Sequence, residues 1–546
     1  MSNLQPSSIA TLRKSLWVSI STSSRISSEL CSVSQTAESS KNDVIYHLDS
    51  ARAALTKHLG ESSAMMARAR NRLASRAYNL PEEVLSLIFM HVLFGDKRLH
   101  YAAADCSVQA FYGRLYALLE VCSLWRATGL SRPEFWSIIP VIKGPHYFIN
   151  NKVASQSIHR SGELPMDLVV AVTRITPESS VVALAQHTSR FRTINISAEE
   201  PRIIQVVMNH LLHSGNRLDA LFELSMCITN LRNVDRFDGQ PYFMFSPNNP
   251  DHPLFLQTLK SLTRFRLTGA TLDWAQVSFS AHLTELQVRS VILGPDSSLH
   301  HFLRAASTAR QLQKLEFGSI ISFLEPNLAD PPTLSFPALQ TLILKDLYFN
   351  SLAIILRSIV SRSHRLVFLP KVYWQTTSSA NETNPEGTDY EEVGNLIKEV
   401  VIDTLLVRGC GGPHPIVMQP LLDAIPSLRL LKLDKWALDA VFCGLFTFTG
   451  RPFPKVPSIQ NLYLTNAMLV NKAVENFKRF IQSHPLETIV IDGYINRGSE
   501  ESKDWQPLTE SDEIVCWLKE HVPVVHLIQG GGDSPPEFES STWSLW

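Results

Sequence analysis

The stretch Leu428-Arg429-Leu430-Leu431-Lys432-Leu433 carries the pattern that decides the fold. Large apolar residues occupy its first, fourth and sixth places, and the last two of these lie on one face of an extended strand. The same pattern occurs ten times, and its occurrences begin at Phe191, Leu221, Leu262, Leu283, Leu312, Leu339, Ile402, Leu428, Ile459 and Leu486. The sequence therefore predicts ten short strands that bury equivalent side chains.

The spacing of these occurrences predicts how the strands are connected. Successive starts lie 30, 41, 21, 29, 27, 63, 26, 31 and 27 residues apart, near the leucine-rich-repeat period of roughly 20 to 29 residues. Each such repeat contributes one strand and returns as a helix or a loop, so that neighbouring repeats stack. We predict an α/β fold in which residues 160–528 form a divergent leucine-rich-repeat solenoid with a curved parallel sheet. It is divergent because Ala467 follows Leu464 where regular repeats place an asparagine.

Two segments of the repeat region depart from the pattern. Leu168, Val170 and Val172 alternate along the chain and predict a first, capping strand. The gap of 63 residues holds a polar, acidic insertion near 375–395. Because long loops in compact folds are either functional or disordered, this insertion is interpreted as a solvated loop or as a loop that binds a partner.

A helical region precedes the repeats. In Leu80-Pro81-Glu82-Glu83-Val84-Leu85, the proline suits the first turn of a helix and the two carboxylates suit its positive end. The apolar residues that follow are too many for one buried stripe, so we expect some of them to meet a second surface. A second amphipathic helix is predicted from Leu115 to Trp125, and Pro133-Glu134-Phe135-Trp136 follows it.

Together these segments resemble the F-box, in the divergent form common in mushroom-forming fungi of the basidiomycete type. The F-box is a small helical module that binds the Skp adaptor of cullin-based ubiquitin ligases. The resemblance is carried by Leu-Pro-x-Glu-Val-Leu at 80–85 with Ile88-Phe89, by Val-Cys-x-x-Trp-Arg at 121–126 and by Pro-x-Phe-Trp at 133–136. The stretch between Phe89 and Val121 is longer than in a compact F-box, so a loop is expected there. The resemblance implies an F-box-like domain at 77–142 whose adaptor contacts are Leu80, Pro81, Val84, Leu85, Ile88, Val121, Cys122 and Trp125.

The ends of the chain have other compositions. Residues 1–42 are rich in serine and poor in large apolar groups, which predicts a disordered tail. Residues 43–76 predict a helix in which Ile45, Leu59, Met66 and Leu73 share one heptad position. Arg52 interrupts this seam, so a weak coiled coil and a helix folded against the F-box remain open alternatives. Residues 529–546 are glycine-rich at first and predict a flexible tail.

Composition excludes several classes of partner. Lys and Arg number 50 against 51 Asp and Glu, so no net positive charge favours nucleic acid or an anionic membrane. The seven cysteines are scattered and form no zinc-ligand pattern. No signal peptide or membrane-spanning run is found. The sequence predicts a protein of the cytoplasm, the nucleus or both, with no nucleic-acid or membrane partner.

The sequence also lacks the spacings of common catalytic and cofactor sites. The glycine-rich run from Gly409 to His414 follows a predicted strand and is interpreted as a turn. The adjacent His300 and His301 are interpreted as surface residues, because neighbours on a helix point in different directions. A solvated helix face is predicted from a group of basic residues, Arg357, Arg362, His364, Arg365 and Lys371. We predict no cofactor, no metal and no enzymatic activity.

The resemblance implies a function of binding. It implies the substrate-recognition subunit of an SCF-type ubiquitin ligase, in which the F-box binds the Skp adaptor, and through it a cullin, while the solenoid binds a target protein. Candidate target contacts are side chains at the variable places of the strands, namely Arg264, Arg266, Glu285, Gln287, Lys314, Glu316, Lys432 and Tyr463. The alternative is a leucine-rich-repeat scaffold that does not bind the adaptor, and an enzyme with an unrecognised site is a third reading.

Overall fold

The computed structural model divides the chain into two compact units. One comprises residues 1–88 with 118–128, and the other comprises residues 89–117 with 129–546. The structure describes single residues at 14, 17, 18, 21, 24, 25, 28 and 29 and the ranges 41–74, 80–95, 104–142, 151–172, 178–213, 218–230, 241–325, 331, 333–360, 365–369, 390–408, 421–446, 458–497 and 505–528.

Helices dominate the region ahead of the first strand. They are α1 (Lys41–Ala74), α2 (Glu82–Phe94), α3 (Ala104–Val121) and α4 (Ser123–Ser131), followed by a 3-10 turn at Pro133–Trp136. Helix α1 coincides with the helix predicted at 43–76 to within two residues at each end. Among the described residues, no helix is both long and apolar enough to cross a bilayer.

A parallel sheet forms the body of the second unit. The order of the main strands across the sheet is the same as their order in the chain, so that each pairs with the main strands before and after it. They are β1 (Ile138–Ile142), β2 (Met166–Val172), β3 (Phe191–Ala198), β4 (Glu223–Ile228), β5 (Arg264–Thr268), β6 (Glu285–Arg289), β8 (Lys314–Gly318), β11 (Thr341–Lys345), β13 (Arg365–Leu369), β14 (Thr404–Arg408), β15 (Leu430–Asp434), β17 (Asn461–Val470), β18 (Thr488–Asn496) and β20 (Val524–Leu527).

Short strands complete this arrangement. A small strand, β16 (Ala437–Leu438), pairs with β17, and β19 (Trp505–Pro507) pairs antiparallel with β18. Two separate two-stranded sheets are formed by β7 (Ile292–Pro295) with β9 (Ile321–Phe323) and by β10 (Leu334–Ser335) with β12 (Ile359–Val360). These pairs also run parallel. In the chain β7 follows β6, β9 follows β8, and β10 and β12 lie before and after β11.

The ten predicted strands are all present, as β3, β4, β5, β6, β8, β11, β14, β15, β17 and β18. In each of them the residues at the fourth and sixth places of the pattern lie within the strand and are buried almost completely. Their register places equivalent residues side by side, as in Leu267, Val288 and Phe317 of β5, β6 and β8. The repeated pattern therefore marks strands of one continuous parallel sheet.

Two predictions about the strands need correction. The strand that contains Leu168 is β2, and β1 precedes it at the edge of the sheet. The gap of 63 residues holds a further strand, β13, which pairs with β11 and β14. The predicted insertion near 375–395 falls mostly outside the described residues, except that helix α11 begins at Tyr390.

Helices return the chain between strands. They are α5 (Asn151–Arg160), α6 (Glu178–Ala185), α7 (Pro201–Leu212), α8 (His252–Leu259), α9 (Asp296–Ser307), α10 (Phe349–Ser358), α11 (Tyr390–Lys398), α12 (Ala440–Phe446), α13 (Val474–Gln482) and α14 (Glu513–His521), with 3-10 turns at Thr188–Arg190 and Asn471–Ala473. Their apolar side chains, among them Val207, Phe302 and Phe480, share one hydrophobic core with the inward residues of the strands. The opposite face of the sheet remains for polar side chains.

A left-handed residue follows many strands and turns the chain towards its return. The φ angles are 83° at Gly269, 51° at Ser290, 49° at Ser319, 48° at Asp346 and 58° at Lys435. Each of these residues comes directly after the last residue of its strand. Backbone bonds join the turns across repeats, since the amide of Ser290 donates to the carbonyl of Gly318 at 2.7 Å. Gly409 stands at the same place after β14 but lies outside the described residues.

Candidate functional site

The residues predicted to contact an adaptor all lie in the first unit. They come from two stretches, 80–88 and 118–128, that the intervening residues 89–117 separate in the sequence. The fold assigns both stretches to one compact unit. Two of the three parts of the sequence motif therefore belong to one compact unit, whereas residues 133–136 belong to the other.

Helix α2 begins as its sequence demands. Pro81 precedes the first helical residue, and its carbonyl accepts the amide hydrogen of Leu85 at 3.1 Å, which closes the first turn. Glu82 and Glu83 lie in that turn, where the helix dipole favours negative charge. This start fixes which side chains of the helix face inwards.

Part of this unit is an accessible apolar surface. Val84 and Ile88 are each 39% exposed and Val121 is 57% exposed, while Leu87 reaches 70%. Large apolar side chains that gather on a surface commonly mark a site of contact with another protein. The sequence motif assigned no role to Leu87, although the excess of apolar residues on α2 was the signal that could have identified it.

The other predicted contact residues are less accessible. Leu85 is fully buried and offers no contact surface. Leu80, Cys122 and Trp125 are half-buried, and Pro81 is exposed. The chain interrupts its helix at Cys122, between α3 and α4, and the guanidinium Nε of Arg126 donates to the carbonyl of Leu119 at 3.0 Å across this break.

A second candidate surface is the polar face of the sheet, formed by the first, third and fifth residues of strands β4, β5, β6, β8 and β11. Arg266 bridges two carboxylates there, Glu223 at 3.0 Å and Glu285 at 3.5 Å. Glu285 in turn accepts a bond from the Nζ of Lys314 at 3.0 Å. A chain of alternating charges thus crosses four consecutive strands.

Glu316 of β8 is the centre of this network. One of its oxygens, Oε1, lies 2.6 Å from the guanidinium of Arg289 and 2.9 Å from the Nζ of Lys345, and Oε2 accepts a bond from the Nε2 of Gln287 at 2.8 Å. The Glu316 side chain is only 2% exposed. A buried charge is tolerated only with such pairing, because removal from water is costly.

The acid–base behaviour of these carboxyl groups follows from burial and from the neighbouring cations. Burial raises the pKa of Glu316, but Arg289, Lys345 and Lys314 outweigh it and lower the pKa to about 2. The pKa of Glu285 is also lowered, since Arg266 and Lys314 outweigh its burial. Burial prevails at Glu223 and raises its pKa above the ordinary value despite Arg266 and Arg264.

The predicted target contacts divide by accessibility. Arg266, Gln287 and Glu316 are buried within the network and cannot serve as surface contacts in this state. Glu285 is largely buried as well, at 14% side-chain exposure. Arg264 and Lys314 keep side-chain exposures of 45% and 37%, so they remain open to a partner.

The remaining two candidates lie further along the same face. Lys432 of β15 and Tyr463 of β17 are direct neighbours in register, and the ammonium of Lys432 lies 5.1 Å from the centre of the Tyr463 ring. Both side chains are half-buried. This cation–π pair is accessible, unlike the buried network.

The structure bears on two other sequence predictions, those for the adjacent histidines and for the basic residues. His300 is buried, at variance with a surface position, whereas its neighbour His301 is exposed. Arg365 begins strand β13 and so does not belong to a helix face, because α10 ends at Ser358. Arg362, His364, Lys371 and the run from Cys410 to His414 lie outside the described residues. Within the part of the chain that the structure describes, no group of three or more His, Cys, Asp or Glu side chains is placed to hold a metal ion.

Comparison with known proteins adds no assignment. No protein-family model matches the chain, and no curated protein is significantly similar to it. The two surfaces and the sequence motif are therefore the basis for assigning a function.

Proposed function

We propose that this chain is the substrate-recognition subunit of an SCF-type ubiquitin ligase. An F-box-like domain at 77–142 binds the Skp adaptor and through it a cullin, and a leucine-rich-repeat solenoid at 160–528 binds a target protein. The observation that carries this proposal is the exposure of Val84, Ile88 and Val121 in one compact unit, where the sequence resembles the adaptor-binding motif.

The proposed role is to raise the effective concentration of the target near a ubiquitin-charged enzyme. The subunit makes and breaks no bond. By holding adaptor and target in one assembly, it converts the meeting of a target lysine with a ubiquitin-charged enzyme into an intramolecular event. Such a role needs two binding surfaces and no catalytic residues.

The exposed part of the polar face supports the target-binding half of the proposal. Arg264 and Lys314 offer positive charge, and Lys432 with Tyr463 offers a cation beside an aromatic ring. The buried network beneath them fixes the backbone from which they project. We assign target contact to these four residues and a supporting role to Arg266, Gln287 and Glu316.

A second candidate function is a non-catalytic scaffold that does not bind the adaptor. The observation in its favour is that Leu85 is buried and that Leu80, Cys122 and Trp125 are only partly accessible. A surface reduced in this way has fewer anchors than the sequence motif implied. Adaptor affinity separates the two functions.

The decisive experiment is a titration of purified Skp adaptor against the full chain. Val84→Asp combined with Ile88→Asp is expected to weaken adaptor binding at least a hundredfold, because central anchors commonly contribute about 2 kcal/mol or more each. The fold should survive, since both side chains are already exposed to water.

Val182→Asp is the matched control, because Val182 is an exposed valine on helix α6 of the other unit. It should leave adaptor binding unchanged. If the folded wild-type chain does not bind the adaptor, the ligase assignment fails and the scaffold is favoured. If the double variant binds as well as the wild type, these residues lie outside the interface.

A further inference from the structure

Among the described strands, β20 forms an edge of the main sheet. Within the described part of the sheet it pairs with β18 alone. The segment Val524-Val525-His526-Leu527-Ile528 is apolar except at its centre, yet Val524 is 41% exposed and Ile528 is 37% exposed. An accessible apolar edge strand is a template for pairing with another chain.

The hydrogen bonds to β18 show which groups point outwards. The amides of Val524 and Ile528 donate to the carbonyls of Glu487 and Ile491 at 3.1 Å and 2.9 Å. In a parallel pair the residues of one strand face its neighbour alternately. The N–H and C=O groups of Val525 and Leu527 therefore point away from the sheet.

The opposite edge of the sheet is blocked. Strand β1 pairs with β2 so that the backbone groups of Ile138 and Pro140 point outwards. The carbonyl of Ile138 accepts a hydrogen bond from the Tyr112 hydroxyl at 2.5 Å, and Pro140 has no N–H to offer. All but the last residue of β1 are buried. In the described part of the chain, one edge of the sheet is thus covered, and the other is accessible.

The hydrophobic core is also incomplete beside β20. Val525, Leu527 and Trp517 of the preceding helix α14 are packed against the main core but are only partly buried. A stable interface needs about 1,000 Å² or more, which exceeds what a five-residue strand alone provides. The partner must therefore supply both a strand and an apolar layer beside it.

We propose that this partner is a second copy of the chain, paired antiparallel through β20 about a two-fold axis at His526. A two-fold axis meets both requirements, because it brings the same strand and the same Val525, Leu527 and Trp517 of the second copy to the open rim. This proposal does not depend on adaptor binding.

The order of side chains along β20 suits such self-pairing. Val525 then lies opposite Leu527 of the second copy, and the two residues exchange N–H and C=O bonds. On the other face Val524 lies opposite Ile528 of the second copy. The dimer therefore has two aliphatic pairs on each face of the sheet, and the two His526 side chains lie between the pairs formed by Val524 and Ile528. Cross-strand aliphatic pairs of this kind stabilise antiparallel sheets.

The first test measures the mass of the full chain in solution by sedimentation velocity as its concentration is raised. We expect the wild type to approach twice the monomer mass. Val524→Lys should raise the dimer dissociation constant about tenfold or more, because it places a charge opposite Ile528 of the second copy at the edge. Its unfolding temperature as a monomer should match the wild type, since the Val524 side chain is 41% exposed.

The second test checks the register by cross-linking. Residues at position 526 of the two copies form a non-hydrogen-bonded antiparallel pair with Cα atoms about 4.5 Å apart, within the range that a disulfide spans. His526→Cys should therefore form a covalent dimer on mild oxidation. Val524→Cys is the matched control, because its symmetry mate is four residues away along the strand. Peptide mapping must locate the disulfide between the two substituted positions, since Cys516 is also exposed.

Any of four results would overturn the proposal. The wild type could remain monomeric at its highest soluble concentration. Val524→Cys could cross-link as readily as His526→Cys. Slow hydrogen exchange at the amides of Val525 and Leu527 in a proven monomer would mean that another segment of the same chain covers this edge, and slow exchange only with a bound protein would assign the edge to that protein.

Discussion

At the scale of single residues, the Glu316 carboxylate is the centre of the polar face. It holds Arg289 and Lys345 in place while almost fully removed from water. Glu316→Gln keeps the size of the side chain but removes the negative charge between the two cations. We expect it to lower the free energy of unfolding by about 3 kcal/mol, because breaking a buried ion pair leaves cations in a poor environment. Urea denaturation measures this loss.

Glu475→Gln is the matched control for that change. Glu475 also accepts a bond from a lysine, Lys478 at 2.9 Å, but its side chain is 71% exposed. Exposed pairs contribute little, so this variant should lose less than about 1 kcal/mol. Equal losses in the two variants would show that burial adds nothing at Glu316.

The stability that Glu316 contributes depends on pH in a defined way. Folding lowers the pKa of Glu316 from 4.5 to about 2, so the ionised group stabilises the fold above pH 4.5 and loses this effect as the pH falls towards 2. The difference in stability between the wild type and Glu316→Gln should therefore shrink across that window. A difference that stays constant from neutral pH down to the acid limit would contradict the lowered pKa.

The sequence predicted these residues only in part. Arg264, Arg266, Glu285 and Lys314 were recognised as variable positions of the repeat, but their mutual pairing was not. The sequence did contain a sign of this pairing, because the first residues of β4, β5, β6 and β8 alternate in charge when the strands are aligned. The sequence could not show which of these side chains are accessible, since the burial of Arg266 and Glu316 depends on neighbours from other strands.

At the scale of elements, the apolar pattern identified strands wherever all three of its places were filled. Strand β13 was not predicted because Ser363 occupies the first of these places, ahead of Leu366 and Phe368. Strand β1 escaped because its apolar run directly follows the helical motif and lacks the repeat spacing. The pattern reports burial of the strand against its returning segment, and it is incomplete in these two strands.

The turns after the strands give a prediction at this scale. Lys435 has φ of 58° and its side chain is exposed, so backbone geometry decides the effect of replacing it. Lys435→Gly should be more stable than Lys435→Val by about 1–2 kcal/mol, because a left-handed conformation is costly for a residue with a Cβ and most costly for a branched one. Thermal unfolding of the two variants compares them directly.

Both variants lose the lysine, so its charge cancels from this comparison. The bond from the backbone amide of residue 435 to the carbonyl of Thr465, 2.8 Å in the wild type, is open to both. Equal unfolding temperatures would show that the turn relaxes away from the left-handed region at no cost.

At the scale of the whole molecule, the order of strands sets how stability is shared. Each main strand from β2 to β17 pairs with the main strands that come before and after it in the chain. The inward side chains of these strands belong to one hydrophobic core. In such an arrangement each element depends on its nearest neighbours, so a local defect need not unfold the distant end. Stability should therefore vary along the sheet.

This expectation can be tested with two equivalent substitutions in different strands. Leu315 of β8 and Leu462 of β17 occupy the same place in the pattern and are fully buried, so replacing either by alanine should cost about 2–5 kcal/mol. Hydrogen exchange followed strand by strand should show protection lost around β6, β8 and β11 in Leu315→Ala, and around β15, β17 and β18 in Leu462→Ala. If both variants lose protection equally along the whole sheet, the strands unfold as one cooperative unit and the order of pairing does not govern stability. Local loss would mean that the two ends of the sheet can respond separately, which allows binding at one end to leave the other unchanged.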